Sequence, residues 1–330
     1  MSISVEGEEE IVRWAYAEII NYFKQKYPPY WFRYQFKRWK VHKIMYQAFE
    51  AANIPVTRSW YRYGCFIHST QLAGFEDFSP LKHRYLRSEF PPERLRYHVK
   101  NMGFDVDYTI QKIHEIIDDM PQKMDIYLKT LYEDAPNGLS NIYIAKLDLF
   151  NDLNQIKTYR SETSFPFHVW LSKIRKDISV FHMAAFSSSQ FIDLADIVTS
   201  FTSNIEESLQ KIDELMLHDK KIFKKWINLI QGFPQFYDEQ VWHPFALEIS
   251  AITVKGWRAD QERIKQLEKK KEKLGQSINE INLLAKNLIE NNLILSWDEY
   301  QERLNRSDLD REVITSISEM EGIYEKSTGT

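Results

Sequence analysis

Residues 165–182 read FPFHVWLSKIRKDISVFH. Apolar side chains fall at Phe167, Leu171, Ile174, Ile178, Phe181 and Ala185. Steps of three and four residues place them on one stripe of an amphipathic helix. Ser164 is the expected N-cap, and Pro166 is tolerated in the first turn, where its missing N–H costs little. A second helix is expected after Ser187-Ser188-Ser189. Its buried face is Phe191, Leu194, Val198, Phe201, Ile205, Leu209, Ile212 and Met216. Two long amphipathic helices in succession predict a mainly α protein.

Composition supports a globular chain. The sequence is 43% hydrophobic and 27% charged, with ten Gly and eleven Pro in 330 residues, which leaves little room for low-complexity linkers. No run of 18 apolar residues predicts a membrane span, and Met1–Glu10 is acidic where a signal peptide would be basic and then apolar. Cys65 is the single cysteine, so neither an internal disulfide nor a thiolate zinc site is expected. These features predict a cytoplasmic protein with no cofactor and no membrane partner.

The net charge of −4 hides an asymmetry. Between Lys24 and Lys100, fifteen Lys and Arg face five acids, giving +10 and leaving −14 elsewhere. A cationic front on an acidic body predicts a polyanion partner, or two regions that satisfy each other's charge.

Glu8–Lys26 reads as a helix ended by Pro28-Pro29, and Trp39–Asn53 as a second, with Val41, Ile44, Met45, Ala48, Phe49 and Ala52 on one face. Val56–Ile67 is β-branched and aromatic with Gly64 as punctuation, and predicts a short ribbon. Helix followed by basic ribbon resembles a winged-helix arrangement over about 30 residues. The expected nucleic-acid contacts are Arg38, Lys40, Lys43, Arg58, Arg62, Arg84, Arg87, Arg94 and Arg96. Arginine among aromatics can both neutralise phosphate and stack on bases. His42, His68, His83 and His98 read as surface or phosphate-adjacent residues. The alternative is that the aromatics are core and the cations solvate its outside.

Asp105–Tyr132 predicts a helix pair or a helix kinked at Pro121, Asn137-Gly138 a turn, and Asn141–Asn154 a strand or helix. Ile222–Ile230 predicts a helix, a break at Gly232 and Pro234, and a further helix to about Trp257. Ile264, Leu267, Lys271, Leu274, Ile278, Ile281, Ala285, Leu288, Asn292 and Leu295 fall at heptad spacing. They predict a helical hairpin or a coil that self-associates, or takes a protein partner, through 264–295. Ser296 and Glu299 form an expected capping box, and a last helix is expected over Asp308–Tyr324. Three domains follow: a basic aromatic-rich region over 1–104, a helical domain over 105–255 and C-terminal helices over 256–330.

Arg175 and His182 sit one residue past stripe positions and share a helix edge, about 10 Å apart along the axis. An Arg, a short polar spacer and a His near the end of one helix, followed by a long amphipathic helix, is similar to the HEPN superfamily of small helical domains. Lys176 stands where that family more often has Asn, Asp or His, and Arg62 to His68 is a second match to the same loose pattern of an Arg, four to six residues and a His. The resemblance, over roughly 105–217, implies a metal-independent, dimeric ribonuclease of a toxin or antiviral defence system. It also implies catalytic roles for Arg175 and His182. An imidazole can move the 2′-OH proton, and a guanidinium can hold the phosphate oxygens. The plain alternative pairs Arg175 with Asp177, Asp193 or Asp196 and leaves His182 as a hydrogen-bonded helix residue. His114 with Asp118, and Glu115 with Asp119, share helix faces but fall short of a metal site. Two non-catalytic alternatives are a nucleic-acid-binding regulator or adaptor, and a structural subunit assembled through the C-terminal helices.

Overall fold

The computed structural model describes residues 5–28, 38–68, 92–121, 124–158, 166–218, 222–296 and 299. Helices α1 (Val5–Lys26) and α2 (Arg38–Ala51) precede the strands β1 (Arg58–Tyr61) and β2 (Gly64–Ile67). Then come α3 (Pro92–Asn101), α4 (Val106–Asp119), α5 (Met124–Glu133), α6 (Ser140–Gln155), α7 (Phe167–Phe186), α8 (Ala195–His218), α9 (Ile222–Phe236), α10 (His243–Thr253) and α11 (Ala259–Glu290). The fold is mainly α, as the periodicity predicts. Every expected stripe residue of α7 is buried, as are all of those on α8 and its approach except the half-buried Met216.

The ambiguous stretches resolve by packing. Residues 141–154 are helical, within α6. Asp105 caps α4 by accepting a 3.0 Å bond from the Tyr108 N–H, and Pro121 separates α4 from α5. The expected break at Gly232 and Pro234 does not occur. The chain stays helical through both and widens only into a π-helical turn at Tyr237–Trp242. Buried Phe233, Tyr237, Val241 and Trp242 anchor this stretch on both sides of the proline, so packing outweighs the one lost backbone bond. The Ser296–Glu299 capping box forms, with the Ser296 N–H 2.8 Å from Glu299 Oε2 and the Glu299 N–H 3.3 Å from Ser296 Oγ. Ser164 and the helix expected over 308–324 lie outside the described residues.

β1 and β2 pair antiparallel, with Ser59 opposite Phe66 and Tyr61 opposite Gly64. Neither Arg62 nor Tyr63 has positive φ, whereas Gly64 does, at +89°. The turn is therefore a type I turn closed by a glycine bulge, which explains Gly64. The ribbon lies between α2 and α10, and its outer edge takes a third segment. Arg58 and Lys255 exchange two 2.9 Å backbone bonds, and the Trp257 N–H donates to Pro55 O.

α10 and α11 run antiparallel, because Ala251 meets Arg263, Glu248 meets Lys270 and Gln240 meets Ser277. The inward face of α11 differs from the expected one. Ile281 and Leu288 are buried, but so are Glu262, Gln266, Lys270 and Ser277. Ile264 and Ile278 are 60% and 42% exposed. The helix turns its polar row inward because Glu262, Lys270 and Ser277 find partners on the body, while Gln266 donates to Glu262 within the helix. Lys270, for example, bridges Asp193 and Glu248 at 2.6 Å each. One apolar cluster runs from Ile11 to Ile294, across both expected domain boundaries.

Gly256 marks the closest backbone approach, at φ +113°. A Cβ there would lie 2.5 Å from Val56 O and 2.7 Å from Thr57 N. Gly256→Ala is expected to cost about 2 to 4 kcal/mol of stability in urea unfolding. Alanine at the solvent-facing Gly103, also at positive φ but with open space around it, is expected to cost about 1 kcal/mol.

Candidate functional site

The hairpin turn Arg62-Tyr63 reaches into the helical body and meets Asp238 on the π-helical turn. The Arg62 guanidinium donates to Asp238 Oδ2 at 2.7 Å, Tyr63 O–H donates to the same oxygen at 2.7 Å, and Arg62 also meets Glu239 at 2.6 Å. Lys146 from α6 completes the cluster, 3.3 Å from Asp238 Oδ1. Its ammonium sits 5.0 Å from the ring centroids of Tyr63 and Phe150 and 5.5 Å from that of Trp242. That is an aromatic cage for a cation. The backbone of the turn is held as well. Trp242 Nε1–H donates to Arg62 O, Tyr143 O–H to Tyr61 O, and the Lys43 ammonium to Tyr63 O.

Burial and charge oppose each other throughout this cluster. Burial pushes the Asp238 carboxyl up, but Lys146 and Arg62 with the Tyr63 bond outweigh it, and its pKa falls below the ordinary value. Burial disfavours the Arg62 cation, but Glu239 and Asp238 raise it further. Lys43 has less compensation, so burial lowers it to about 8. Burial, with Arg62 and Lys273 nearby, lowers His243 to about 4, and this imidazole shares a 2.9 Å hydrogen bond with Tyr61 Oη. Exposure is limited to Tyr63 and Glu239 at the rim.

A second constellation lies at the other end of the ribbon. Ser59 Oγ is 2.8 Å from His68 Nε2, and His68 Nδ1 is 3.1 Å from Glu262 Oε1. Hydroxyl, imidazole and carboxylate in that order have the geometry of a nucleophile, its base and the group that orients the base. Ser59 Oγ is also 2.8 Å from Ser250 Oγ, and both serines are fully buried. The relay is sealed, and it ties β1 and the end of β2 to α10 and α11. Burial would raise the Glu262 carboxyl, but the bond and charge of His68 with the Gln266 bond hold it at about 2.

Arg175 and His182 share one edge of α7, as the spacing requires, and both reach α8. Arg175 donates to Gln210 Oε1 at 2.7 Å rather than to any of the three aspartates considered. His182 Nε2 lies 2.9 Å from Thr202 Oγ1, and burial lowers its pKa. Their surroundings are acidic: burial raises the carboxyls of Glu206, which faces Arg175, and of Glu207. On the opposite flank of α7, burial and the Asp152 carboxyl push Asp177 up to about 7.

The expected phosphate contacts divide sharply. Lys40, Lys43, Arg58 and Arg62 are interior or nearly so, with Arg62 16% exposed. Arg58 is spread over Glu50, Ile54 O and Val56 O. Arg94 is exposed on α3, and Arg96 beside it pairs with Asp107. Arg38 begins α2, while Arg84 and Arg87, with His83, lie outside the described residues. His42 and His68 are buried, not superficial: His42 stacks on Phe66 and accepts from the Ile67 N–H. His114 stacks on Tyr22, and Asp118 accepts from Tyr22 and Lys26. Among the described residues no three His, Cys, Asp or Glu side chains converge as metal ligands, and no helix is long and apolar enough to cross a membrane.

Sequence reasoning missed Lys146, Asp238, Ser59 and Glu262. Two signals pointed to Asp238 and Glu262, and none to Lys146 or Ser59. Asp238-Glu239 interrupts an apolar run from Phe233 to Ile249, and Glu262, Gln266 and Lys270 repeat every four residues.

Fold and site together define a mainly helical protein organised on a small ribbon whose charged turn is internal. The chain belongs to the family described as a domain of unknown function, DUF8098, which it matches over residues 69–323. The match begins just after the ribbon. No curated protein and no solved structure matches the chain.

Glu262 lies below its unfolded pKa of about 4.3, so it stabilises the fold above that value, and the contribution is lost as pH falls toward 2. Glu262→Gln is expected to lose about 2 kcal/mol at pH 7, and the gap to wild type should narrow between pH 4 and 2. Urea unfolding at pH 7, 4 and 3 measures this; a gap independent of pH would contradict it.

Proposed function

We propose that the protein is a non-catalytic adaptor or structural subunit that assembles with other chains through helix α11. The observation that carries this is the division of α11 into two faces. Its inward face is held to the body through Glu262, Lys270 and Ser277, whereas Ile264, Lys271 and Ile278 form a row at heptad spacing that points to solvent. Apolar side chains recurring on the free face of a long helix suit a partner helix. The front's cations favour the same reading, since Arg58 and Arg62 neutralise Glu50, Asp238 and Glu239 within the chain.

A ribonuclease acting through Arg175 and His182 is the second reading, favoured by their shared helix edge and by an imidazole whose pKa burial lowers. It requires both side chains to leave Gln210 and Thr202 and to receive a phosphate beside Glu206. The exposed cations Arg94 and Lys100 of α3, beside an Arg96 held by Asp107, favour a nucleic-acid-binding regulator.

Two measurements separate these. Sedimentation of the purified chain, alone and with co-purifying proteins, is expected to show an assembly that Ile264→Glu with Ile278→Glu dissolves while the melting temperature holds. Labelled single-stranded RNA incubated with the protein in EDTA is expected to stay intact. Cleavage that disappears in both Arg175→Ala and His182→Ala would overturn the adaptor in favour of the nuclease.

A further inference from the structure

Helices α2, α4 and α5 enclose a groove of about 480 Å³, within the range of small-molecule sites. Its floor is apolar: Ile116, Met120 and Leu131 line it, with the ring of Tyr127 beside them. Its rim is anionic. Among the described residues that line it, Glu115, Asp119 and Asp134 supply three carboxylates and Lys112 one cation.

The lip shows what such a rim holds. The Lys112 ammonium is 2.7 Å from Glu115 Oε2 and 5.4 Å from the ring centroid of Tyr108. An alkylammonium group thus already occupies one seat made of a tyrosine face and a carboxylate. Asp119 and Asp134 line the remainder, and neither has an ion pair among the described residues. An apolar floor between carboxylates matches a methylene chain carrying terminal ammonium groups. Each charge would be neutralised while the chain covers Ile116 and Leu131.

We infer that this groove is a binding site for an aliphatic ammonium ligand, with Asp119 and Asp134 as its counter-charges. Two sources share that chemistry, a free polyamine and a lysine side chain presented by another protein. The site is independent of the face of α11 used for assembly.

Titration calorimetry with spermidine, with a short lysine-rich peptide and with 1,8-octanediol tests the assignment on the full chain. Spermidine or the peptide is expected to bind saturably, and the uncharged diol is expected not to bind. Whichever of the two binds identifies the source. Asp119→Asn with Asp134→Asn should weaken binding by about tenfold or more, the loss of one to two charged contacts. Thr130→Trp fills the groove without altering its charge and should abolish binding. It also separates the groove from general attraction to an acidic surface. Saturable binding of neither ammonium probe would overturn the inference, as would affinity unchanged in the two-site variant or in Thr130→Trp.

Discussion

A charged turn at the end of a two-stranded ribbon is held in the interior by a carboxylate that lies 176 residues further along the chain. Arg62, Tyr63 and Lys146 converge on Asp238, and the rest of the architecture is arranged so that they can. The π-helical turn presents Asp238 from within a long helical run. Gly64 lets the ribbon turn, and Gly256 lets the segment after α10 lie against β1. A buried cation without its counter-charge costs several kcal/mol, so these elements are not independent choices. The ribbon is as much a part of the helical body as of the N-terminal helices it follows.

Helix positions were legible in the sequence because apolar spacing is a local property. The stripe from Phe167 to Ala185 is buried as spaced, and so is the stripe from Phe191 to Ile212. The ribbon and its glycine were legible for the same reason. What could not be read was which charged residues turn inward. A basic, aromatic stretch looks the same whether it faces phosphate or a carboxylate that arrives much later in the chain. Arg58, Arg62 and Lys43 therefore read as surface cations, and His42 and His68 as superficial imidazoles. The heptads of α11 misled in a related way. Ile264 and Ile278 have the spacing of a buried seam, but Glu262 has His68 waiting just past β2, and Lys270 has Glu248 on α10 and Asp193 on the approach to α8, and that decided the helix's rotation. The Arg175–His182 edge was placed correctly; its acidic neighbours on α8 were invisible to a pattern confined to α7.

Polar chemistry in this protein is largely turned to holding elements together. The Ser59–His68–Glu262 relay has the order of a catalytic triad, yet its hydroxyl is closed off by Ser250 and its carboxylate belongs to α11. It fixes the ribbon to α11. What the molecule offers outward is different in kind: an apolar row on α11, a cationic helix at α3 and an anion-rimmed groove between α2, α4 and α5.

The central claim is that the turn's cations are interior structural groups coupled to Asp238. A double-mutant cycle of Arg62→Met and Asp238→Leu, followed by urea unfolding, measures that coupling directly. The account predicts an interaction energy of about 2 to 3 kcal/mol, with the double variant losing less stability than the sum of the two single ones and Lys146 still without its counter-charge. Additive effects, with coupling below about 0.5 kcal/mol, would contradict it and return Arg62 to the solvent-facing role its sequence context suggested.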